Sequence, residues 1–313
     1  MYAIIIRRLI LLPIMLLIAG FLIFLLPVMT GIDPARAVLR ARIGQRELTE
    51  ETIAQYRAEV GLDQPLPIQY FSWLRQLARG DLGYSYVFRT PITDILFPAI
   101  KITATLSASA VLVAFLISIP LGVFAAVRPG RSLDTIIATV SQTGVAIPEF
   151  WLAPILILVF ALYLGWLPSA GWRGPLFAIL PVMTLALRPI AYFTRLTRAA
   201  MLEVLNRDYI RAARARGLTK TQTIWRHALR NALIPVVTLA ALWLANLLGG
   251  AVIIEVIFSI PGVGRTLFGA VTAVDLPLLQ GGLILIVGLA VIVNSLTDIT
   301  YIILNPAIGL EQP

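Results

Sequence analysis

The sequence predicts an all-α polytopic membrane protein with about six transmembrane helices and a small extracytoplasmic subdomain between the first and second. Three observations carry that prediction. Of the 313 residues, 59% are hydrophobic and 13% are charged, where a soluble domain carries about 25% charged residues. Apolar runs long enough to cross a bilayer recur along the whole chain. The basic residues gather in alternate loops, as the positive-inside rule requires.

The first apolar run, 9–29, follows Arg7 and Arg8. It is longer than the roughly 7–15 apolar residues of a signal peptide, and no small-x-small site follows directly. It reads as a retained first helix with its N-terminus in the cytoplasm. Residues 30–98 mix charges, prolines and glycines and form the subdomain. Within it, 47–60 reads as a helix with Thr49 as N-cap and Gly61 as its stop. A second helix is expected over 69–77, with Tyr70, Trp73, Leu74 and Leu77 on one face. The arginines of this segment do not count against an outside location, because segments longer than about 60 residues largely escape the charge rule.

The membrane core is expected over 99–306, followed by a short tail at 307–313. The second span is 102–127, with Pro120 able to kink it. A basic turn, Arg128-Pro-Gly-Arg131, leads to a third hydrophobic region, 135–164, interrupted by Pro148-Glu149 and Pro154. The fourth span is 176–192, and Arg188, Arg195 and Arg198 mark its end as cytoplasmic. The fifth is 232–257 and the sixth 280–304. Six spans put both termini, and the basic loops 128–134 and 193–230, on the cytoplasmic side.

Between the fourth and fifth spans lies the longest polar run of the second half, 206–235. It reads as two short helices around a glycine. Asn206 suits an N-cap, Asp208 the first turn, and Arg214 and Arg216 the last turn. Gly217 falls where a left-handed C-terminal cap is wanted. Thr219 and Gln222 make a T-x-x-Q capping box for a second helix running toward Pro235. Tyr209, Ala212, Ala213 and Arg216 share a mostly small face of the first helix, which suits close docking. A basic loop lying on anionic lipid is the alternative.

Several chemistries are excluded. With no cysteine and one histidine, His227, there is no disulfide, no thiolate nucleophile and no His-based zinc site. Neither lysine, Lys101 or Lys220, follows a glycine-rich loop, so no Walker A motif is present. His227 has no evident acid partner and reads as an interfacial or packing residue. The net charge of +9 lies beside the spans and does not point to nucleic acid. Polar residues inside spans remain as functional candidates, since lipid burial is costly for them. They are Gln142, Glu149, Asn246, Glu255, Asn294 and Asp298. Helix–helix hydrogen bonding is the alternative role. Glu149, after Pro148 near mid-span, suits a broken helix lining a water-filled path. Glu255 and Asp298 lie near span ends, where they would be hydrated or paired.

The chain resembles the inner-membrane permease subunits of bacterial ABC importers of the dipeptide/oligopeptide/nickel class. The resemblance rests on GLDQPLPIQY at 61–70, GDLGYS at 80–85, IPLGVFAA at 119–126 and IPEFWLAPILI at 147–157. LGWLPSAG at 164–171, DYIRAARARGL at 208–218, RHALRNALIPV at 226–236 and LLGGAVIIEVIFSIPGVGR at 247–265 extend it, and the NP ending at 305–306 closes it. The segment around Ala212, Ala213 and Gly217 is similar to the EAA loop of these importers, with Arg211 in the glutamate position. Leu233-Ile234-Pro235 stands farther from the glycine than in the general pattern.

The resemblance implies a type I ABC importer permease fold in the bacterial inner membrane. It implies a coupling loop at 206–231 that meets the ATPase through Asp208, Tyr209, Arg211, Ala212, Ala213, Arg216 and Gly217. Gln142, Glu149, Asn246 and Glu255 become candidates for the translocation path. Implied partners are a homologous second permease, two ATPases that would hold ATP and magnesium, an extracytoplasmic solute-binding protein and membrane lipid. No cofactor is expected on this chain. The expected cargo is peptide, with nickel or another small solute as the alternative. An ion-coupled secondary transporter using Glu149 and Glu255 is the competing reading of another class.

Overall fold

The computed structural model describes residues 2–43 and 49–304, all-helical apart from one isolated bridge between Tyr84 and Pro91. Among these residues, five helical stretches are long and apolar enough to span a membrane: Leu11–Thr30, Ile92–Val127, Pro175–Leu205, Lys220–Gly250 and Leu276–Thr297. A bent pair, Ser132–Ala146 with Glu149–Tyr163, makes a sixth when counted as one span.

The first span is α1 (Tyr2–Phe24) continued by α2 (Leu26–Thr30). The subdomain follows as α3 (Pro34–Ile43), α4 (Glu50–Val60) and α5 (Leu66–Ala78). Thr49 caps α4 by accepting from the Thr52 amide, and Gly61 ends it at φ +74°, a conformation cheap for glycine alone. The expected start of this helix at 47 lies outside the described residues, as does the 307–313 tail. The sequence reading missed α3. Its Ala35 and Leu39 pack on Ile53 and Tyr56, and Arg57 Nη2 meets Asp33 at 2.6 Å. The Asp33 carboxylate pushes the Arg57 guanidinium above its ordinary value.

The subdomain is seated on the spans that enclose it. The Tyr70 hydroxyl donates to the Leu17 carbonyl at 2.7 Å, and the rings of Tyr70 and Trp73 pack at a tilt against Phe24. Gln280 donates to the carbonyls of Ile23 and Phe24 at 3.1 and 3.3 Å. A cavity of about 740 Å³ opens between Asp33, Arg57, Trp73, Tyr84 and Gln280.

The bundle centre is the pair α6 (Ile92–Val127) and α9 (Pro175–Leu205), with α7 (Ser132–Ala146) and α8 (Glu149–Leu156) between them in sequence. Both long helices exceed the expected spans and run through internal prolines, Pro98 and Pro120 in α6, Pro181 and Pro189 in α9. A Cβ at Gly122 of α6 would lie 2.5 Å from Thr197 Cβ and 2.8 Å from the Thr194 carbonyl of α9. The two backbones therefore touch at that glycine. The chain bends by 101° between α7 and α8. The cause is Pro148, which holds Ile147 extended (φ −76°, ψ 120°). A π-helical stretch, Ile157–Tyr163, continues α8.

On the far side of α9 come α10 (Asp208–Ala215), α11 (Lys220–Gln222), a π-helical stretch Thr223–Ala228, and α12 (Leu229–Gly250). The second helix of the polar run reaches Pro235, as expected, and Pro235 does not end it. The helix passes through it and becomes the fifth span. That span also stops sooner than 257. It breaks at Ala251 into α13 (Val252–Ile257), and α14 (Val263–Thr272) and α15 (Leu276–Leu304) follow. Leu106 and Ala110 of α6, Leu185 and Phe193 of α9, and Val236 of α12 fill the main core.

Candidate functional site

The polar run builds a compact double-helical turn. Asn206 does not cap α10. It ends α9 instead, its side-chain amide donating to the Leu202 carbonyl at 2.9 Å, and the N-cap of α10 is Arg207, with no side-chain cap. The far end follows the expectation. Gly217 has φ +89°, and the amides of Arg216, Gly217 and Leu218 close onto the carbonyls of Ala212, Arg214 and Ala213 at 3.1, 3.0 and 3.4 Å. Thr219 and Gln222 form the expected capping box.

The two faces of α10 differ sharply. Ile210 and Ala213 are buried, Ile210 in one cluster with Val123, Met201 and Ile224 of the same chain. Ala213 is therefore withdrawn from the docking face predicted for it, because it stands one helical turn from Ile210 and shares its inward direction. Asp208, Tyr209, Arg211, Ala212, Arg216 and Gly217 are exposed. Arg211 is engaged locally, pairing with Asp208 at 3.1 Å and donating to the Asn206 carbonyl at 3.3 Å. The Tyr209 hydroxyl accepts from Asn231 at 2.8 Å, which joins α10 to α12. A Cβ on Gly217 would meet nothing within 4 Å.

The polar residues of the spans collect along α9. Arg198 donates to both Asp134 oxygens, at 2.6 and 2.8 Å, and the Gly130 amide adds 2.8 Å. Arg195 donates to Gln142 at 3.3 Å. Arg188 lies 3.9 Å from Glu149, which opens α8 immediately after the bend. Arg188 does not mark an end of the fourth span, as the sequence reading took it to. It stands about 20 Å along α9 from Pro175, and about 25 Å of helix follow it. Asn246, exposed on α12, belongs to the same depth. The rings of Tyr192 and Trp243 meet at 5.6 Å. From that contact Arg188 lies about 6 Å, and Asn246 about 4.5 Å, toward the subdomain end of the bundle.

Of the two roles expected of Glu255, hydrated or paired, the structure gives the second. It is fully buried and does not reach a path surface. Its Oε1 accepts from the Thr103 hydroxyl at 2.6 Å and its Oε2 from the Arg265 amide at 3.0 Å. Thr103 Oγ1 in turn accepts from the Val263 amide at 2.9 Å. The carboxylate thus fastens the 258–265 turn to α6. Glycine at 262 is needed, since a Cβ there would lie 2.2 Å from Glu255 Oε1. Asn294 is exposed on α15, and the Asp298 side chain lies outside the described residues. Sequence reasoning named Gln142 and Glu149 but passed over their partners on α9. The signal was present in Arg188, an arginine inside an apolar run.

Comparison with known proteins fits this geometry. Residues 118–310 match the family described as binding-protein-dependent transport system inner membrane component, and residues 1–107 match its N-terminal region. A protein of Brucella abortus (strain 2308), named as a peptide transport system permease, is 39% identical over 311 residues, 96% of either chain. The glutathione transport system permease GsiC of Escherichia coli O6:H1 is 37% identical over 304 residues, 97% of this chain and 98% of its own. The solved methionine ABC transporter MetNI aligns with a TM-score of 0.57 at 21% identity, over 67% of this chain and 96% of that one, which supports the fold. Together these matches run from the first span to the last. The chain belongs to the family of binding-protein-dependent transport system inner membrane components, the membrane-spanning permeases of ABC importers.

Proposed function

We propose that this chain forms half of the translocation pore of an ATP-driven peptide importer and has no motor of its own. The observation that carries the reading is α10. It is a short helix, closed at its C-terminus by Gly217 and set between the fourth and fifth spans, with its inner face locked to α6 and α9 and its outer face exposed. A helix held in this way transmits displacement to the spans it joins, by rigid-body motion between two packed states. A separate ATPase would meet Asp208, Tyr209, Arg211, Ala212, Arg216 and Gly217. ATP and magnesium would be bound on two such subunits. A homologous second permease would complete the pore, and a solute-binding protein would deliver cargo to the subdomain side. In this arrangement α10 and both termini lie in the cytoplasm and the subdomain lies outside.

Peptide as cargo is supported by the relatives named for peptide and glutathione transport. The ion-coupled alternative loses one of its two coupling groups, because Glu255 is sealed from solvent. The test is co-purification and ATP-dependent uptake. Ala212→Trp, which adds bulk only on the exposed face, is expected to lower ATPase association and uptake at least tenfold while the permease still folds. Undiminished association and transport in that variant would rule out docking through α10.

A further inference from the structure

The helix α9 carries two acid–arginine pairs, and they differ in kind. The Asp134–Arg198 pair is closed, with both carboxylate oxygens taken by the guanidinium and a backbone amide added. The Glu149–Arg188 pair is open. Its single contact, at 3.9 Å, is too long for a hydrogen bond. Arg188 Nε is buried with no partner, and among the described residues neither side chain makes a hydrogen bond. The two side chains are 42% and 22% exposed.

Position makes this openness informative. Arg188, about 20 Å along α9, stands near mid-bilayer depth. An ionised pair turned toward hydrocarbon there is disfavoured, and unpaired guanidinium donors add to the penalty. The exposed side of the pair therefore suits a water-filled path rather than lipid. The Nη groups of the Arg188 guanidinium form a planar fork that suits a carboxylate, and Glu149 has an uncommitted oxygen for an ammonium group.

We propose that Glu149 and Arg188 form a transient zwitterion site in the path. Arg188 takes the carboxylate terminus of a passing short peptide and Glu149 takes its ammonium terminus. This proposal rests on the peptide-import reading above. Exchanging the pair's own attraction for the two termini leaves the local net charge at zero when the cargo is present and when it has left. The long separation keeps the pair easily opened, as a path needs when it must admit a solute and release it. Arg195, farther along α9 toward α10, and its partner Gln142 on α7 supply the next polar station.

The test uses the assembled complex, with its ATPases, second permease and binding protein, in proteoliposomes. The probes are trialanine, N-acetyl-trialanine and trialanine amide. The wild type is expected to take up trialanine at least tenfold faster than either blocked form. Glu149→Gln should erase the preference over the acetylated peptide, and Arg188→Gln the preference over the amide. Equal slowing of all three probes, or no change, overturns the site. Absence of ATP-dependent uptake of any peptide by the wild type overturns the functional reading instead. Saturation-transfer NMR on the complex without binding protein removes any selection by that subunit. Transfer to trialanine is expected in the wild type and not in either variant, and its persistence in both would also overturn the site.

Discussion

Thr103 and Glu255, 152 residues apart in sequence, meet through a buried 2.6 Å hydrogen bond that fastens the turn before α14 to α6. Glu255→Ala would leave the Arg265 amide without its acceptor and the Thr103 hydroxyl with the Ala99 carbonyl alone. A loss of about 3 kcal/mol is expected, read as a lower unfolding midpoint in detergent. Glu255→Gln keeps the shape and should lose about 1 kcal/mol. An unchanged midpoint for the alanine variant would show that water replaces the carboxylate.

Gly122 is where α6 and α9 touch. Gly122→Ala must move the Thr194 carbonyl or Thr197, and overpacking of this kind costs about 2 kcal/mol. Gly269, in the middle of α14, has open space around the same position. Gly269→Ala is expected to stabilise by about 0.5 kcal/mol through helix propensity. The two substitutions should shift thermal unfolding in opposite directions.

Asp275 is buried and accepts from the Ser85 hydroxyl and from the amides of Val87 and Leu278. Ser85→Ala removes the side-chain half of this fastening. The 84–91 turn should then be cut faster by a protease added from the subdomain side, at least threefold over wild type. Equal rates would place the restraint in the backbone amides alone.

Asp134→Ala leaves Arg198 without its bidentate partner. The pair is partly exposed on the arginine side, so the expected loss is about 1–2 kcal/mol. Arg198→Met in the same background should recover part of it, because the unpaired charge is then gone. A double-mutant cycle measures the coupling.

Gly217 is left-handed with free space around it, so substitutions there test conformation rather than crowding. Gly217→Ala should cost about 1 kcal/mol of cap stability, and Gly217→Asn less, since asparagine tolerates that region. ATP-dependent uptake is expected to fall in the order Gly, Asn, Ala.

Much of this architecture was legible from residue order. Span number, the Thr49 and Thr219 caps, the Gly61 and Gly217 stops and the break at Pro148 are local, and local rules located them. What escaped is non-local. Glu255 looked like a span-end carboxylate because its ligands come from α6 and from a turn whose geometry the sequence does not state. Ala213 alone of its small-residue face is covered by its own chain, while Tyr209, Ala212 and Arg216 stay exposed. Pro148 breaks its helix, while Pro235, Pro181 and Pro189 are carried inside helices whose neighbours pack around them. α3 went unseen because its apolar face is narrow and its partner, α4, supplies the rest of the small cluster.

The fastening of Gln280 to the carbonyls of Ile23 and Phe24, and of Asp275 to Ser85, fixes an order of assembly. The first span and the subdomain are synthesised early and meet through Tyr70 and Trp73, yet the rest of their seating comes from the start of the last span, 257 and 190 residues downstream. Contacts of such long separation close late in folding. Residues 30–98 must therefore wait, incompletely anchored, until α15 is inserted. A chain that stops short of residue 275 lacks the clasp for its own beginning.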